Sequence, residues 1–489
     1  MSASRERKNR QNLNETGHVE PKAIDPKAEA AKASRFSRNV LLLICAFLLL
    51  GVGLFAYNHM EQNKTNAANA EISATPAVKI NGTEYTVGDV AYYFYTSYNT
   101  FVAQNSSYLS IVGFDTTKSM KEQYMADGTT WFDFFANGAV SSLATTAGIA
   151  AEAEAAGFNV DERLDEEVAA ALELADLSAK QYGYSDSELY IKAAYGPYVD
   201  EEVFARNVRL STYAQLYAGE RNAALSFTDA ELKAAYDEDP ALFDSVAMDY
   251  VLFETDITAD LTEEEKEARI AESKAKAEEI LAHWARNFEA GAEELGGSYD
   301  STEYARYSEG DEIAEWLFDE SRVAGDRVVL AADETTYAAI EFRGRSLNEY
   351  HPVTVRHILT ADEESAQAVL DEYLAGEQTE EAFSTLAILK STDNSTANNG
   401  GLLTGLYKGY YDESFEGWCY DSARKAGDVT VLEAVNGWHV IYFVETMDLP
   451  CWAVEAEALL VSEDYQAWYS AFNEKAVTEK LDGLNLVVE

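Results

Sequence analysis

Two stretches of this chain, at an offset of 102 residues, are near copies of one another. Trp316 to Asp326 reads WLFDESRVAGD and Trp418 to Asp428 reads WCYDSARKAGD, with six of eleven positions identical and Phe318 facing Tyr420. After one gapped residue, YAAIEF at 337–342 matches WHVIYF at 438–443, and upstream VAMDYVL at 246–252 matches VTVRHIL at 353–359. A unit of about a hundred residues therefore occurs twice, made of a strand, helices, a Gly-containing turn and a final strand. Two copies do not make a solenoid, so the repeat predicts two tandem domains.

In the second copy the pattern is clear enough to place side chains. Val353 to Leu359 alternates as a strand, which puts Val355, His357 and Leu359 on one face. Ala366, Val369, Leu370, Tyr373 and Leu374 follow at helical spacing with Gly376 as C-cap, and Phe383, Leu386 and Ala387 mark a second helix. A polar loop, STDNSTANNGG, leads to a short helix around Phe415 to Tyr420, and a last strand from Gly437 to Val444 puts His439, Ile441 and Phe443 on one face. The unit is an α+β domain.

Before the repeat, Val40 to Tyr57 is a run of eighteen uncharged residues behind Arg35 and Arg38, long enough to cross a bilayer. A cleaved secretory signal has a shorter apolar stretch and a small-x-small exit. Here the leader is 39 residues long, no convincing A-x-A exit follows, and Ile44 before Cys45 does not suit a lipoprotein signal. The expectation is an uncleaved single-pass anchor with a basic cytoplasmic leader at 1–39, a transmembrane helix at 40–57 and everything later outside the membrane. Residues 58–76 read as a polar spacer with no fold assigned. An Asn81-Gly82 turn follows, Thr86 caps a helix starting near Gly88, and helical signals dominate to Leu242, at Val140 to Ala156, Leu164 to Leu177, Ser185 to Tyr195 and Glu201 to Tyr217. Thr228 and Glu231 form a capping box, and Pro240 closes this segment. The tail from Cys451 carries Leu459, Leu460, Tyr465, Trp468, Tyr469, Phe472 and Ala476 at roughly helical spacing, a face that needs a partner.

Lys+Arg number 37 against 86 Asp+Glu, a net charge of -49, so nucleic acid is excluded as a partner: this surface repels phosphate backbones. Three cysteines, none in a C-x-x-C pair, exclude a disulfide framework and a zinc ribbon and leave at most a Cys419–Cys451 bridge.

Residues 353–446 resemble the parvulin-type peptidyl-prolyl isomerase domain. The likeness rests on Val355-Arg356-His357-Ile358-Leu359 in the first strand, Ser391-Thr392-Asp393-Asn394-Ser395 leading to Gly400-Gly401, and Gly437-Trp438-His439-Val440-Ile441 in the last strand. The layout of anchor, helical segment, parvulin-like copies and helical tail looks like the membrane-bound foldases of Gram-positive bacteria and the periplasmic chaperones of the same plan. The resemblance implies a multidomain α+β protein with a helical chaperone-like domain at 77–243, a parvulin-like domain at 244–347, an isomerase domain at 350–447 and a tail at 451–489 that packs on the chaperone-like domain. It assigns His357, Asp393, His439 and Asn436 to the catalytic site and Tyr411, Phe415 and Leu403 to the substrate side, with no cofactor and no metal. Departures are Leu402-Leu403-Thr404 after the two glycines, and Tyr411 where the family has Met. The acidic loop Thr360 to Ser365 does not suit a phosphate-directed specificity.

Taken alone, each of these residues has a plainer reading. A histidine on an apolar strand face is often a satisfied core residue, Asp393 is a natural turn former, and Tyr411 and Phe415 serve equally as core. The first copy has Tyr250 in place of His357 and Ala338 in place of His439, so it is expected to keep the scaffold without the site. The leading expectation is a prolyl isomerase and chaperone acting on newly secreted polypeptides with X-Pro bonds. The alternative is a binding-only anchored chaperone with two inactive copies. A surface scaffold protein would leave the histidine pair unexplained.

Overall fold

The computed structural model describes residues 66–488. The leader at 1–39, the apolar run at 40–57 and residues 58–65 of the spacer lie outside the described residues. These divide into two units, one of residues 66–225 with 461–488 and the other of residues 226–460.

The first unit opens with α1 (Asn66–Ser73), inside the stretch read as spacer. Its alanines favour helix, and Ser73 Oγ fastens it by donating to the Tyr198 carbonyl at 2.7 Å. The hairpin β1 (Pro76–Ile80) and β2 (Thr83–Thr86) turns at Asn81 and Gly82, both at positive φ. Then come α2 (Val87–Gln104), α3 (Trp131–Ala155), α4 (Asp161–Tyr182), α5 (Ser187–Tyr195) and α6 (Glu201–Ala223). Thr86 and Asp89 form a capping box at the start of α2, and Asp89 also accepts from Arg206 at 2.8 Å and Asn207 at 3.0 Å. Burial works against that carboxylate, but the hydrogen bonds from Thr86, Asn207 and Arg206 outweigh it and keep its pKa below the usual value. The core between α2 and α3 is aromatic, with Phe94 and Phe135 edge to face at 5.8 Å and Tyr92 stacked on Tyr195 at 4.9 Å. α3 begins well before the expected Val140, because Thr130 supplies the cap. It is long and apolar enough to cross a membrane, yet Trp131, Phe135 and Leu143 are buried in this unit's core.

The second unit starts with α7 (Asp229–Glu238), capped by Thr228 and Glu231, and continues as β3 (Asp244–Glu254), α8 (Glu263–His283), α9 (Phe288–Leu295), β4 (Ser298–Ala305), α10 (Glu312–Phe318), β5 (Arg327–Ala331) and β6 (Thr336–Leu347). The second copy follows as β7 (Val353–Thr360), α11 (Glu363–Ala375), α12 (Glu380–Lys390), β8 (Leu402–Leu406), α13 (Glu413–Cys419), β9 (Val429–Ala434) and β10 (Gly437–Thr446). The two antiparallel sheets have the same order, β4-β3-β6-β5 and β8-β7-β10-β9. Their registers also agree. Tyr250 faces Ile340 and Leu252 faces Ala338, just as His357 faces Ile441 and Leu359 faces His439.

Gly376 caps α11 as expected, its amide donating to the Tyr373 carbonyl at 3.1 Å, though at a negative φ of -96°; the left-handed residue is Gln378, whose side-chain amide donates to the Leu374 carbonyl at 2.8 Å. Cys419 and Cys451 are buried free thiols, so the one bridge that the spacing allowed is not formed. The last helix, α14 (Cys451–Lys475), contributes to both units. Its start packs Trp452 on Tyr236 and pairs Glu455 with Arg306 at 2.6 Å in the unit of residues 226–460. Its later turns, in the helical unit, bring Trp468 under the Arg221 guanidinium and lay Phe472 against Gly148. The strand β11 (Thr478–Lys480) then pairs with β1.

Candidate active site

β7 and β10 are adjacent central strands, and their register makes His357 and His439 diagonal neighbours on one face of the sheet. Both are buried, with rings stacked at 5.3 Å and the two Nδ1 atoms 3.1 Å apart. On the far side, His357 Nε2 lies 3.0 Å from Asp393 Oδ2 and 2.9 Å from Thr396 Oγ1, while His439 Nε2 lies 2.8 Å from Asn436 Oδ1. All four ring nitrogens thus have partners.

Asp393 is held by its own loop. Its Oδ1 accepts from the Ser395 amide at 3.0 Å and hydroxyl at 2.6 Å, and its Oδ2 accepts from the Thr396 hydroxyl at 2.7 Å. Burial opposes the charge, but the hydrogen bonds from Ser395 and Thr396, with the neighbouring His357, bring the pKa down to about 2. Burial lowers the pKa of both imidazoles, His439 to about 4 with further repulsion from His357; Asp393 only partly offsets the burial of His357. The pair is therefore neutral at pH 7. Because an ionised Asp393 accepts only, the proton of His357 sits on Nε2, and its bare Nδ1 accepts from His439 Nδ1–H. His439 Nε2 is then bare as well; the Asn436 atom facing it is Oδ1, so this neutral arrangement needs the Asn436 amide turned over to present its N–H.

The loop reaches His357 by way of Arg356 and two glycines. Arg356 points to the opposite face, where its buried guanidinium donates to the carbonyls of Asn399 at 3.1 Å and Gly400 at 2.9 Å and pairs with Glu380 on α12. Gly401 accepts from the His357 amide at 2.8 Å; a Cβ there would stand 2.1 Å from the His357 carbonyl oxygen, and φ is +68°. Only glycine allows that approach.

Beside the imidazoles is an aromatic wall. Phe415, fully buried on α13, meets the rings of His439 at 5.4 Å and His357 at 6.4 Å edge to face, and Tyr411 stacks on Phe415 at 5.1 Å. Leu403 packs in the same cluster with Val355 and Ile441. The structure therefore brings together His357, His439, Asp393, Asn436, Phe415, Tyr411 and Leu403. Sequence reasoning missed Thr396, Arg356 and Glu416. Thr396 stands three residues after Asp393, a spacing typical of side chains that share one turn. Glu416 accepts from the amides of Gly409 at 3.0 Å and Tyr411 at 2.8 Å and so shapes the loop in front of α13. In the first copy the same register positions hold Tyr250 and Ala338, and the Tyr250 hydroxyl donates to Asp300 at 3.3 Å. Among the described residues no three His, Cys, Asp or Glu side chains gather as a metal site.

Neutral imidazoles with every nitrogen engaged, one fixed carboxylate and an apolar wall suit the binding and reshaping of a bound group better than the breaking of a bond. Comparison with known proteins agrees in kind. Foldase protein PrsA 1 of Listeria monocytogenes serovar 1/2a is 31% identical over 131 residues, covering 26% of this chain and 43% of that protein. Foldase protein PrsA of Lacticaseibacillus paracasei is 28% identical over 144 residues, covering 29% of this chain and 46% of that protein. This chain thus spans less than half the length of these curated relatives. The crystal structure of PrsA from Bacillus subtilis aligns over 72% of this chain and 89% of that one at 16% identity, with a TM-score of 0.25, too low to bear on the fold. Residues 353–445 match the model of the rotamase family, the PPIC-type PPIase domain, and this stretch of the chain is a parvulin-type domain.

Proposed function

We propose that this chain is a prolyl cis/trans isomerase and chaperone for polypeptides folding outside the cytoplasmic membrane, held there by the apolar run at 40–57. The observation that carries the reading is the chain of contacts Asn436–His439–His357–Asp393 beside Phe415 and Tyr411, inside a stretch that matches the PPIC-type PPIase domain. Turning an X-Pro amide means breaking its resonance across about 18–20 kcal/mol, with no covalent bond made or cleaved, so neither cofactor nor nucleophile is needed. In this reading the proline ring lies on Phe415 and Tyr411, with Leu403 beneath. The neutral imidazole pair forms a low-dielectric wall that favours the twisted amide over the planar one, whose charge separation prefers water. Asp393 and Thr396 hold His357 in the tautomer that keeps this wall uncharged. The first copy acts as a scaffold without a site, since Tyr250 and Ala338 cannot build the pair.

The test is a prolyl isomerisation assay on the chain beginning after residue 57, with His439→Gln beside it. Acceleration by the parent and a loss of about ten-fold or more in the variant support the reading. A parent as slow as the uncatalysed reaction leaves a binding-only chaperone in its place. Protease added to intact cells that leaves a C-terminal tag fully protected would sink the topology.

A further inference from the structure

The loop at residues 407–412, between β8 and α13, carries Tyr411, and its far side is held by Tyr420 of the second copy, Tyr350 at its start and Tyr304 of the first copy. The Lys408 ammonium lies over three tyrosine rings, 4.9 Å from the centroid of Tyr420, 5.2 Å from Tyr350 and 5.8 Å from Tyr304. The rings brace one another edge to face, Tyr304 with Tyr350 and Tyr350 with Tyr420, each pair at 5.8 Å. The Lys408 amide donates to the Tyr350 hydroxyl at 3.1 Å, and the Tyr420 hydroxyl donates to the Leu406 carbonyl. Gly409, at φ +80°, passes so close to β4 that a Cβ would stand 2.7 Å from the Tyr304 Cβ. Tyr350 belongs to the connection between the copies and is itself fixed by the start of α14, whose Cys451 amide donates to its carbonyl at 2.7 Å. Tyr304 belongs to the first copy.

From these contacts we infer that the first copy is a positioning element for the second: Tyr304, with Tyr350, clamps Lys408 and Gly409 and so fixes the loop that sets Tyr411 against Phe415. A cation over one exposed ring contributes about 0.5–1 kcal/mol, and three rings around one ammonium multiply the contact while fixing its place. Glu416 holds the same loop from within, through the amides of Gly409 and Tyr411. The loop therefore has two anchors, one in its own copy and one supplied by the copy without the histidine pair. With Tyr250 and Ala338 at the register positions of the histidine pair, the first copy serves here as a wall. The kinetic consequence rests on the isomerase reading above; the clamp itself does not.

The experiment compares the parent with Tyr304→Ala, Tyr304→Phe and Lys408→Met in the chain beginning after residue 57. Amide hydrogen exchange and isomerisation kinetics are measured on each. Tyr304→Ala and Lys408→Met are expected to speed exchange at the amides of Gly409 and Tyr411 about ten-fold and to raise KM about three-fold with kcat within a factor of about two, while Tyr304→Phe restores both. Tyr307→Ala is the control, because Tyr307 packs on Phe318 within the first copy's own core; it should lower stability without touching KM. Unchanged exchange at Gly409 and Tyr411 in both Tyr304→Ala and Lys408→Met overturns the clamp, as does an equal rise of KM in Tyr307→Ala. Faster exchange in a chain whose parent does not isomerise at all keeps the clamp and removes the isomerase reading.

Discussion

A hydrogen bond between two imidazole nitrogens uses the proton of only one of them, and that choice sets the state of every group from Asn436 to Asp393. With Asp393 ionised, His357 holds its proton on Nε2 and His439 holds its own on Nδ1. His439→Gln keeps a donor and nearly the same volume, so thermal unfolding should shift by no more than about 1 kcal/mol while the isomerisation rate falls about ten-fold or more. Asp393→Ala should slow isomerisation as well, because His357 loses the acceptor that selects its tautomer. If stability and rate fall in step in either variant, the histidines belong to the core alone. The same network predicts a pH dependence. His439 is held at about 4 and His357 below its ordinary value. Below the unfolded value of about 6.5, the unfolded chain takes up protons that the folded chain refuses, so stability is full above that pH and is lost as the pH falls toward 4. Asp393, held at about 2, adds a loss only below the ordinary carboxylate range near pH 4. Urea unfolding between pH 7 and 4 should show this slope in the parent and a shallower one in His439→Gln. Equal slopes would assign the titration to other groups.

At the scale of elements, the loop from Ser391 to Gly401 is what converts a strand histidine into a site. Gly401→Ala puts a Cβ against the His357 carbonyl at positive φ, so the loop must leave the strand; this should cost about 2 kcal/mol or more in denaturant unfolding and take the Asp393 and Thr396 contacts with it. An unaltered midpoint with full isomerisation would show that the approach is not needed. Much of this element's setting was legible, because the alternation around His357 and His439 fixes which side chains share a face, and the matched segments 316–326 and 418–428 end directly before β5 and β9. The same logic located the missing histidines at Tyr250 and Ala338, whose registers coincide with those of the pair. Thr396 and Glu416 escaped notice because each acts through a loop whose path is set by tertiary contacts rather than by periodicity. Helix α1 escaped because Ile72 is its one large apolar residue and makes no stripe, and its hold comes from Ile72 on the core and Ser73 reaching a distant carbonyl.

For the whole molecule the question is which activity depends on which part. Every residue of the network and of its aromatic wall lies between 357 and 439, in the unit of residues 226–460, whereas the helical unit is built from residues 66–225 and 461–488 around its own aromatic core. A chain that holds clients through exposed apolar contacts on the helical unit does not need the state of two imidazoles elsewhere in the sequence. His439→Gln and Asp393→Ala should therefore slow isomerisation while leaving the suppression of aggregation of an unfolded client within a factor of about two, since sites without shared partners act additively. The converse variant is Asp89→Asn in the helical unit, which removes a charge that Arg206 and Asn207 face. It should cost about 1–3 kcal/mol there and reduce client protection, with isomerisation of a short proline peptide unchanged. The two assays, run on the same preparations, separate the roles. Loss of client protection in step with isomerisation in His439→Gln would tie holding to the proline site and overturn this division of labour.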